Sequence, residues 1–351
     1  ASVDDYDWPF QNGTGAELFP ECRDAGAIDV NQVSLHETFA RMRGAYQVCL
    51  AASLVGSALL GAAVVCSIDL HKTKAAFHVL LLLVAAAGVL QGSALFANVF
   101  DEEFLNDPNA YDTQGCTTAA VLSTTGMLAQ AMLLAALACE SWLLLVRQRR
   151  TGQLRRAAAY AGGIAAGVGA IQLLTLQITD GFGNSYRSKL IVWCTIRHAN
   201  HRRDGASPVG VLLGFYGWIA VSWCVCLFFY TRMMVKLKGM LRKAIRDNVQ
   251  PQLRAQLRQL RCKFTMWPLV FLLSWAGAMA HRLVINFVDP CFDLRNRWYT
   301  YLVICWGDYA AALLPVWNFV LFAVMNTYIR GQVRESVGLC CDDRVPWQCQ
   351  R

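Results

Sequence analysis

The run Lys263–Asp289, KFTMWPLVFLLSWAGAMAHRLVINFVD, decides how the rest of the chain is read. It is apolar from Phe264 to Ala280 and then carries His281, Arg282 and Asn286. A hydrocarbon layer of about 30 Å needs about 20 apolar residues in a helix, and this run has that length. Three features exceed what an anchor needs. Pro268 removes a helical hydrogen bond and favours a kink. Trp275 adds bulk two turns further on, and Arg282 adds charge near the far end. A kinked helix with a bulky pivot suits a change between two packings.

Six more apolar segments surround this one, at about 45–67, 75–99, 117–146, 157–179, 208–231 and 299–327, with the quoted run forming the span 264–288. Each is long enough to cross a bilayer as a helix. The chain is 56% hydrophobic and 16% charged, against about 25% charged in ordinary soluble domains. The reading is an all-α membrane protein, a seven-helix bundle over 45–328. An outer arm at 1–44 and an inner tail at 329–351 flank it. A short amphipathic helix is expected after the seventh span, from Tyr328 to Leu339. The sequence starts at Ala1, without a methionine, an n-region or an h-region. The expectation is a mature chain whose signal peptide has been removed, or one trimmed at that end.

Loop charge sets the orientation. With the N-terminus outside, the inner loops and tail collect 21 of the 32 basic residues and only Asp69, Asp247, Glu335, Asp342 and Asp343 among the acids. Only the N-out, C-in arrangement gives this positive-inside pattern. The net charge of +8 is thus divided among loops, which excludes nucleic acid as the partner. The richest loop runs from Arg232 to Lys263. Met233, Met234, Leu237, Met240, Leu241 and Ile245 recur there at helical spacing, with Arg232, Lys236, Lys238, Arg242 and Lys243 between them. This basic amphipathic pattern has two readings. It is a collar for anionic lipid head groups, or the fifth and sixth helices continue into the cytoplasm as a docking surface. Asn248–Pro251 interrupts the pattern, and Leu253–Arg261 resumes it.

Cys22, Cys116, Cys194 and Cys291 fall outside, where disulfides form. Cys116 opens the third helix and Cys194 lies in the long second outer loop. These two are paired, leaving Cys22 with Cys291. Asn12-Gly13-Thr14 is a glycosylation sequon on the outer arm. Cys340 and Cys341 follow the seventh span, as palmitoylation sites or as inert thiols. The fourth span is rich in small residues, Ala161 to Ala170, which permit close approach to a neighbouring helix. No phosphate-binding loop, zinc-protease motif or nucleophile elbow occurs, so the chain does not read as an enzyme. No Cys/His spacing argues for a metal, and no cofactor is implied. The seventh span lacks a lysine for a retinal Schiff base.

Charges within the spans mark candidate sites, because burying a charge in lipid is costly. Asp308 lies about 14 Å into the seventh helix, and Arg282 sits in the outer third of the sixth. The two form a structural ion pair or part of a ligand site with Trp193, His281 and Asn286. In the second case Arg187, Lys189, Arg197, Arg295 and Arg297 favour a small anion. Glu140, just before the basic run at Arg147, is placed as an inner latch to a base at the feet of the fifth or sixth helix, or as an interfacial acid. Pro268, Trp275 and Glu140 are the candidate switch.

Trp267-Pro268-Leu269-Val270-Phe271, then Ser274-Trp275, His281-Arg282 and Asn286 resemble the sixth helix of the cyclic-AMP-receptor-like (class E) G-protein-coupled receptors. Trp193-Cys194 resembles that family's outer-loop pair, and Cys116 matches its partner. Trp142 and Asn318 fit more loosely. The resemblance spans roughly 45–330 and implies an outer polar pocket and a cytoplasmic G protein. At the end of the third helix the chain reads Cys139-Glu140-Ser141-Trp142 in place of Asp-Arg-Tyr. In the seventh it reads Leu314-Pro315-Val316-Trp317-Asn318 in place of Asn-Pro-x-x-Tyr. Both departures argue against the rhodopsin-like class. The expected protein is a plasma-membrane receptor signalling through its sixth helix. The alternative is a scaffold of the same fold, serving as one subunit of a larger membrane assembly without signalling.

Overall fold

Lipid offers the backbone no hydrogen-bonding partner, so apolar stretches of this length close their bonds internally as helices. A computed structural model of the chain describes residues 32–67, 75–100, 114–147, 152–178, 182–184, 194–196, 212–247, 251–284, 306–307, 309–325, 329 and 331. The helices are α1 (Gln32–Ser67), α2 (Ala75–Phe100), α3 (Gln114–Leu145), α4 (Gln153–Ile178), α5 (Gly217–Arg246), α6 (Pro251–Leu283) and α7 (Leu314–Phe319). A π-helical turn, Leu212–Tyr216, leads into α5, and another, Val320–Val324, continues α7. Between α4 and α5 the strands β1 (Phe182–Asn184) and β2 (Cys194–Ile196) pair antiparallel, Phe182 opposite Ile196 and Asn184 opposite Cys194.

Six of the described helices are long and apolar enough to span a bilayer: Gly44–Ser67, Ala76–Phe96, Thr117–Leu145, Gln153–Gln177, Gly214–Arg246 and Leu260–Ala280. The shorter apolar helix Leu314–Val324 takes the seventh place. This is the seven-helix bundle that the sequence implies. Its centre is α3, which packs on α2, α4, α5 and both strands. The apolar window of α3 is 61% buried, against 17% for α4, so α4 is the peripheral member. Outside the bundle the surface stays apolar: Leu173, Leu176, Phe228, Leu269 and Leu273 are exposed, as lipid contact requires. Leu50, Leu80, Leu128, Leu137, Ile219 and Phe322 are fully buried within.

Three helices run past the span limits read from the sequence. The first helix starts at Gln32, inside the stretch assigned to an outer arm, because Val33 to Tyr46 continues in helix-compatible residues with no proline or glycine before Gly44. The basic pattern from Arg232 onward is the lower part of α5, the continuation that one of its two readings anticipates. The resumed pattern is likewise the foot of α6, which begins at Pro251, where a missing N–H costs nothing.

Close helix approach occurs away from the small-residue run of the fourth span. Gly162, Gly163 and Gly169 face outward, and a Cβ added to any of them would meet no atom within 4 Å. The tight crossings lie elsewhere. A Cβ on Gly126 of α3 would stand 2.8 Å from Ala87 O and Gln91 N, both backbone atoms of α2. A Cβ on Gly277 of α6 would stand 2.8 Å from Gly307 Cα. At both points only a missing side chain lets the segments touch. We expect Gly126→Ala to lower stability by about 1–3 kcal/mol, because backbone cannot swing aside. The outward Gly163→Ala is expected to be neutral or slightly stabilising, since alanine favours helix. Thermal unfolding of the purified variants in detergent checks the contrast; equal effects would contradict the packing described.

Candidate functional site

A carboxylate this far from water must be paired. Glu140, near the foot of α3, is 0% exposed. Arg156, in the first turn of α4, meets it with two prongs: Nη2 donates to Oε1 at 2.7 Å and Nε donates to Oε2 at 2.9 Å. A fork-to-fork arrangement of this kind is the strongest geometry for the pair. One turn along α4, Tyr160 donates its hydroxyl to Cys139 Sγ at 3.4 Å. The partner of Glu140 is therefore on the fourth helix, not at the feet of the fifth or sixth. The physical reason is reach. The loop between α3 and α4 is short, so α4 enters beside the foot of α3 and presents Arg156 first. Glu140 clasps α3 to α4 and leaves α6 to other contacts at this level.

Higher in the bundle, uncharged polar side chains link three helices. Gln130 of α3 donates its amide to Gln91 Oε1 of α2, and Asn318 of α7 donates to Gln130 Oε1 at 3.5 Å. All three side chains are almost fully buried. Ser53 and Ser57 of α1 are equally buried, and neither hydroxyl has a hydrogen-bond partner among the described residues. On the α4 side, Gln172 donates to Thr124 and Thr125 of α3 at 3.0 and 3.2 Å. The charge-based reading missed Gln91 and Gln130. Their signal was present in the sequence as a single amide within each of two largely apolar runs.

The sixth helix is held differently. Pro268 lies inside α6. Trp223 of α5 donates its indole N–H to Pro268 O at 3.3 Å, and Trp306 donates to Leu273 O at 3.1 Å. Two neighbours thus grip carbonyls at and just above the proline. Below it, Trp267 packs among Tyr230, Phe264 and Phe322, with ring centroids at 5.2, 5.4 and 4.5 Å. Above it, Trp275 is buried against Phe215, 6.1 Å between centroids. The structure therefore gathers Pro268 and Trp275 on one helix, but it does not bring Glu140 to them.

Helices α5 and α6 are longer than a bilayer crossing requires. A helix of 30 residues, the length of α5, reaches about 45 Å, some 15 Å more than the hydrocarbon layer. Met233, Leu237, Leu241 and Ala244 are buried on the side that pairs with α6, while Arg232, Lys236, Lys238, Arg242, Lys243 and Arg246 are exposed. Thr265 Oγ1 donates to Met234 Sδ at 3.6 Å where the two helices meet. The result is a basic two-helix stalk beneath the bundle.

Several expected positions fall elsewhere. His281 and Arg282 occupy the last turn of α6 by backbone, and their side chains lie outside the described residues. Trp193, Asn286 and Asp308 lie outside them altogether, as do Cys22, Cys291, Asn12, Cys340 and Cys341. Strand β2, which carries Cys194, packs on α3, whose first turn carries Cys116; the side chains of both cysteines lie outside the described residues. Among the described residues no group of His, Cys, Asp or Glu has a metal-holding arrangement.

A family model described as 7 transmembrane receptor (rhodopsin family) matches residues 60–315, most of the bundle. No curated protein matches the chain.

The clasp yields an asymmetric expectation. Removing Arg156 leaves a carboxylate that is fully buried, whereas removing Glu140 leaves a guanidinium that is already 23% exposed. Arg156→Ala should therefore destabilise by about 3–5 kcal/mol and Glu140→Ala by clearly less. A double-mutant cycle on detergent unfolding midpoints measures both; an equal or reversed order would contradict the burial.

Proposed function

Because the chain belongs to the rhodopsin family of seven-transmembrane receptors, we propose that it passes the signal of an outer ligand to a cytoplasmic G protein by movement of its sixth helix. The chain is an integral, multi-pass membrane protein. Its membership corrects one expectation: the altered motifs at Cys139–Trp142 and Leu314–Asn318 do not set it outside the rhodopsin-like class. Those departures occupy a few positions, whereas the match covers residues 60–315, from the last turns of α1 to the start of α7. The likeness of the sixth helix to the cyclic-AMP-receptor-like class is not confirmed by that match.

The observation that carries this reading is the stalk. Helices α5 and α6 run unbroken from the bilayer into the cytoplasm, so any tilt of α6 at Pro268 is delivered as displacement of its foot. At the inner end Glu140 is engaged by α4, so it does not tie α3 to α6. The indole bonds of Trp223 and Trp306 and the glycine crossing at Gly277 and Gly307 hold the backbone of α6. All lie at or above the proline, as a lever that pivots there requires. The basic face of the stalk supplies electrostatic attraction for an acidic docking surface.

A ligand moves such an equilibrium only through different affinity for the two states. We place its site at the outer end of the bundle, bounded by His281, Arg282 and Asn286 of the sixth segment, Asp308 of the seventh and Trp193 beside β2, with a small anion as the favoured class. Pro268 and Trp275 act as the switch beneath it. Cys116–Cys194 and Cys22–Cys291 brace the outer face, Asn12 carries glycan, and Cys340 and Cys341 take palmitate at the plasma membrane.

Guanine-nucleotide exchange on purified heterotrimeric G proteins, with the protein in bilayers, tests the reading. Exchange above that of protein-free bilayers is expected. The triple change Arg242→Gln, Arg246→Gln and Arg254→Gln should slow it about tenfold at low salt, and less at high salt. No exchange with any subtype, together with stable co-purification of partner subunits, would favour a non-signalling scaffold.

A further inference from the structure

One face of α5 changes character at a single level. Val221, Val225 and Phe228 are exposed, and Arg232 and Lys236 continue the same stripe at spacings of three and four, with Val235 and Met240 exposed beside them. An aromatic row marks where the change falls. Trp142 of α3 packs on Phe229 at 5.6 Å, and Phe229 packs on Phe228 at 5.3 Å. A guanidinium closes each end: Arg147 lies 5.2 Å from the Trp142 ring centroid and Arg232 lies 5.4 Å from that of Phe228. Aromatic rings gather at membrane–water interfaces, and an arginine beside one keeps its charge in the headgroup layer. No acidic residue occurs anywhere in α5.

We propose that this face binds an anionic phospholipid of the inner leaflet. Arg232 holds its phosphate, Arg147 and Lys236 flank the headgroup, and an acyl chain lies along Phe228, Val225 and Val221. A guanidinium suits phosphate oxygens because it offers paired donors in one plane. Three cations exceed the single charge of a phosphodiester, so a headgroup with additional phosphate is preferred. Depth separates this tier from the rest of the stalk. The headgroup layer is roughly 5–8 Å thick on each side. Lys236 stands about 6 Å below Arg232 along the helix, whereas Lys243 stands about 16 Å and Arg246 about 21 Å below it. The lower cations clear the lipid and face water, and only the upper ones are within reach of it. The inference is independent of whether a G protein docks.

The full-length protein in nanodiscs of phosphatidylcholine, titrated with fluorescent phosphatidylinositol bisphosphate, provides the test. The triple variant Arg147→Gln, Arg232→Gln and Lys236→Gln is expected to bind about 100-fold more weakly, each cation contributing roughly a factor of five. The lower triple Arg242→Gln, Lys243→Gln and Arg246→Gln is expected to bind within a factor of about two of the parent. Should the upper triple fail to fold, Arg232→Gln alone should lose about fivefold, and Arg232→Lys, which keeps the charge, should lose less. Equal losses from the two triples, or none from the upper one, would overturn the assignment. So would displacement of the lipid by an equal concentration of soluble inositol trisphosphate, which lacks the acyl chain.

Discussion

Inside hydrocarbon an unpaired polar group finds no water to relieve it, and the polar side chains in this bundle are arranged under that constraint. Glu140 shows it most sharply. The carboxylate is wholly buried, and its position is tolerable only because Arg156 reaches it with two donors. That need fixes where α4 begins relative to α3. Higher up, Gln91, Gln130 and Asn318 share donors and acceptors without charge across α2, α3 and α7, while Gln91 Nε2 is left without a partner among the described residues. The glycine at position 126 brings α2 and α3 close enough for the two glutamines to meet.

These bonds divide the bundle into parts held to different degrees. Helices α2, α3 and α4 are tied by charged and amide contacts as well as by packing. Helix α6 is held within the bundle by contacts of another kind. Its partners Trp223 and Trp306 bond to backbone carbonyls, and its packing is largely aromatic. Aromatic contacts can slide and re-form with modest cost, while a buried ion pair cannot be broken without leaving a bare charge. A rigid α2–α4 block with a more loosely held α6 is the mechanical basis for the receptor reading. It also removes Glu140 from the list of groups that could restrain α6 directly.

The stalk joins two environments on one continuous helix. Along α5 the outward face passes from valine and phenylalanine to arginine and lysine with no break in the backbone. The bilayer edge is therefore written as a change of side chain. It lies level with the aromatic row that joins Trp142 to Phe228. Above this level the exposed side chains of α5 are mostly apolar; below it, basic residues predominate.

Much of this was legible in one dimension. The apolar runs, their number and the side of each loop follow from length and local charge, because the bilayer's thickness and the cost of moving lysine and arginine across it act on segments independently of their neighbours. Pro268 and the basic pattern from Arg232 were readable for the same reason. Which side of each helix faces the bundle was not. In α1, α2 and α3 the lipid-facing and core-facing sides are both apolar, so hydrophobic periodicity carries no azimuth. Only the tertiary structure turned the small residues of α4 outward, joined Gln91 to Gln130, and gave Glu140 to Arg156. Each of those outcomes depends on the rotation and neighbour of a helix, quantities that no single segment encodes.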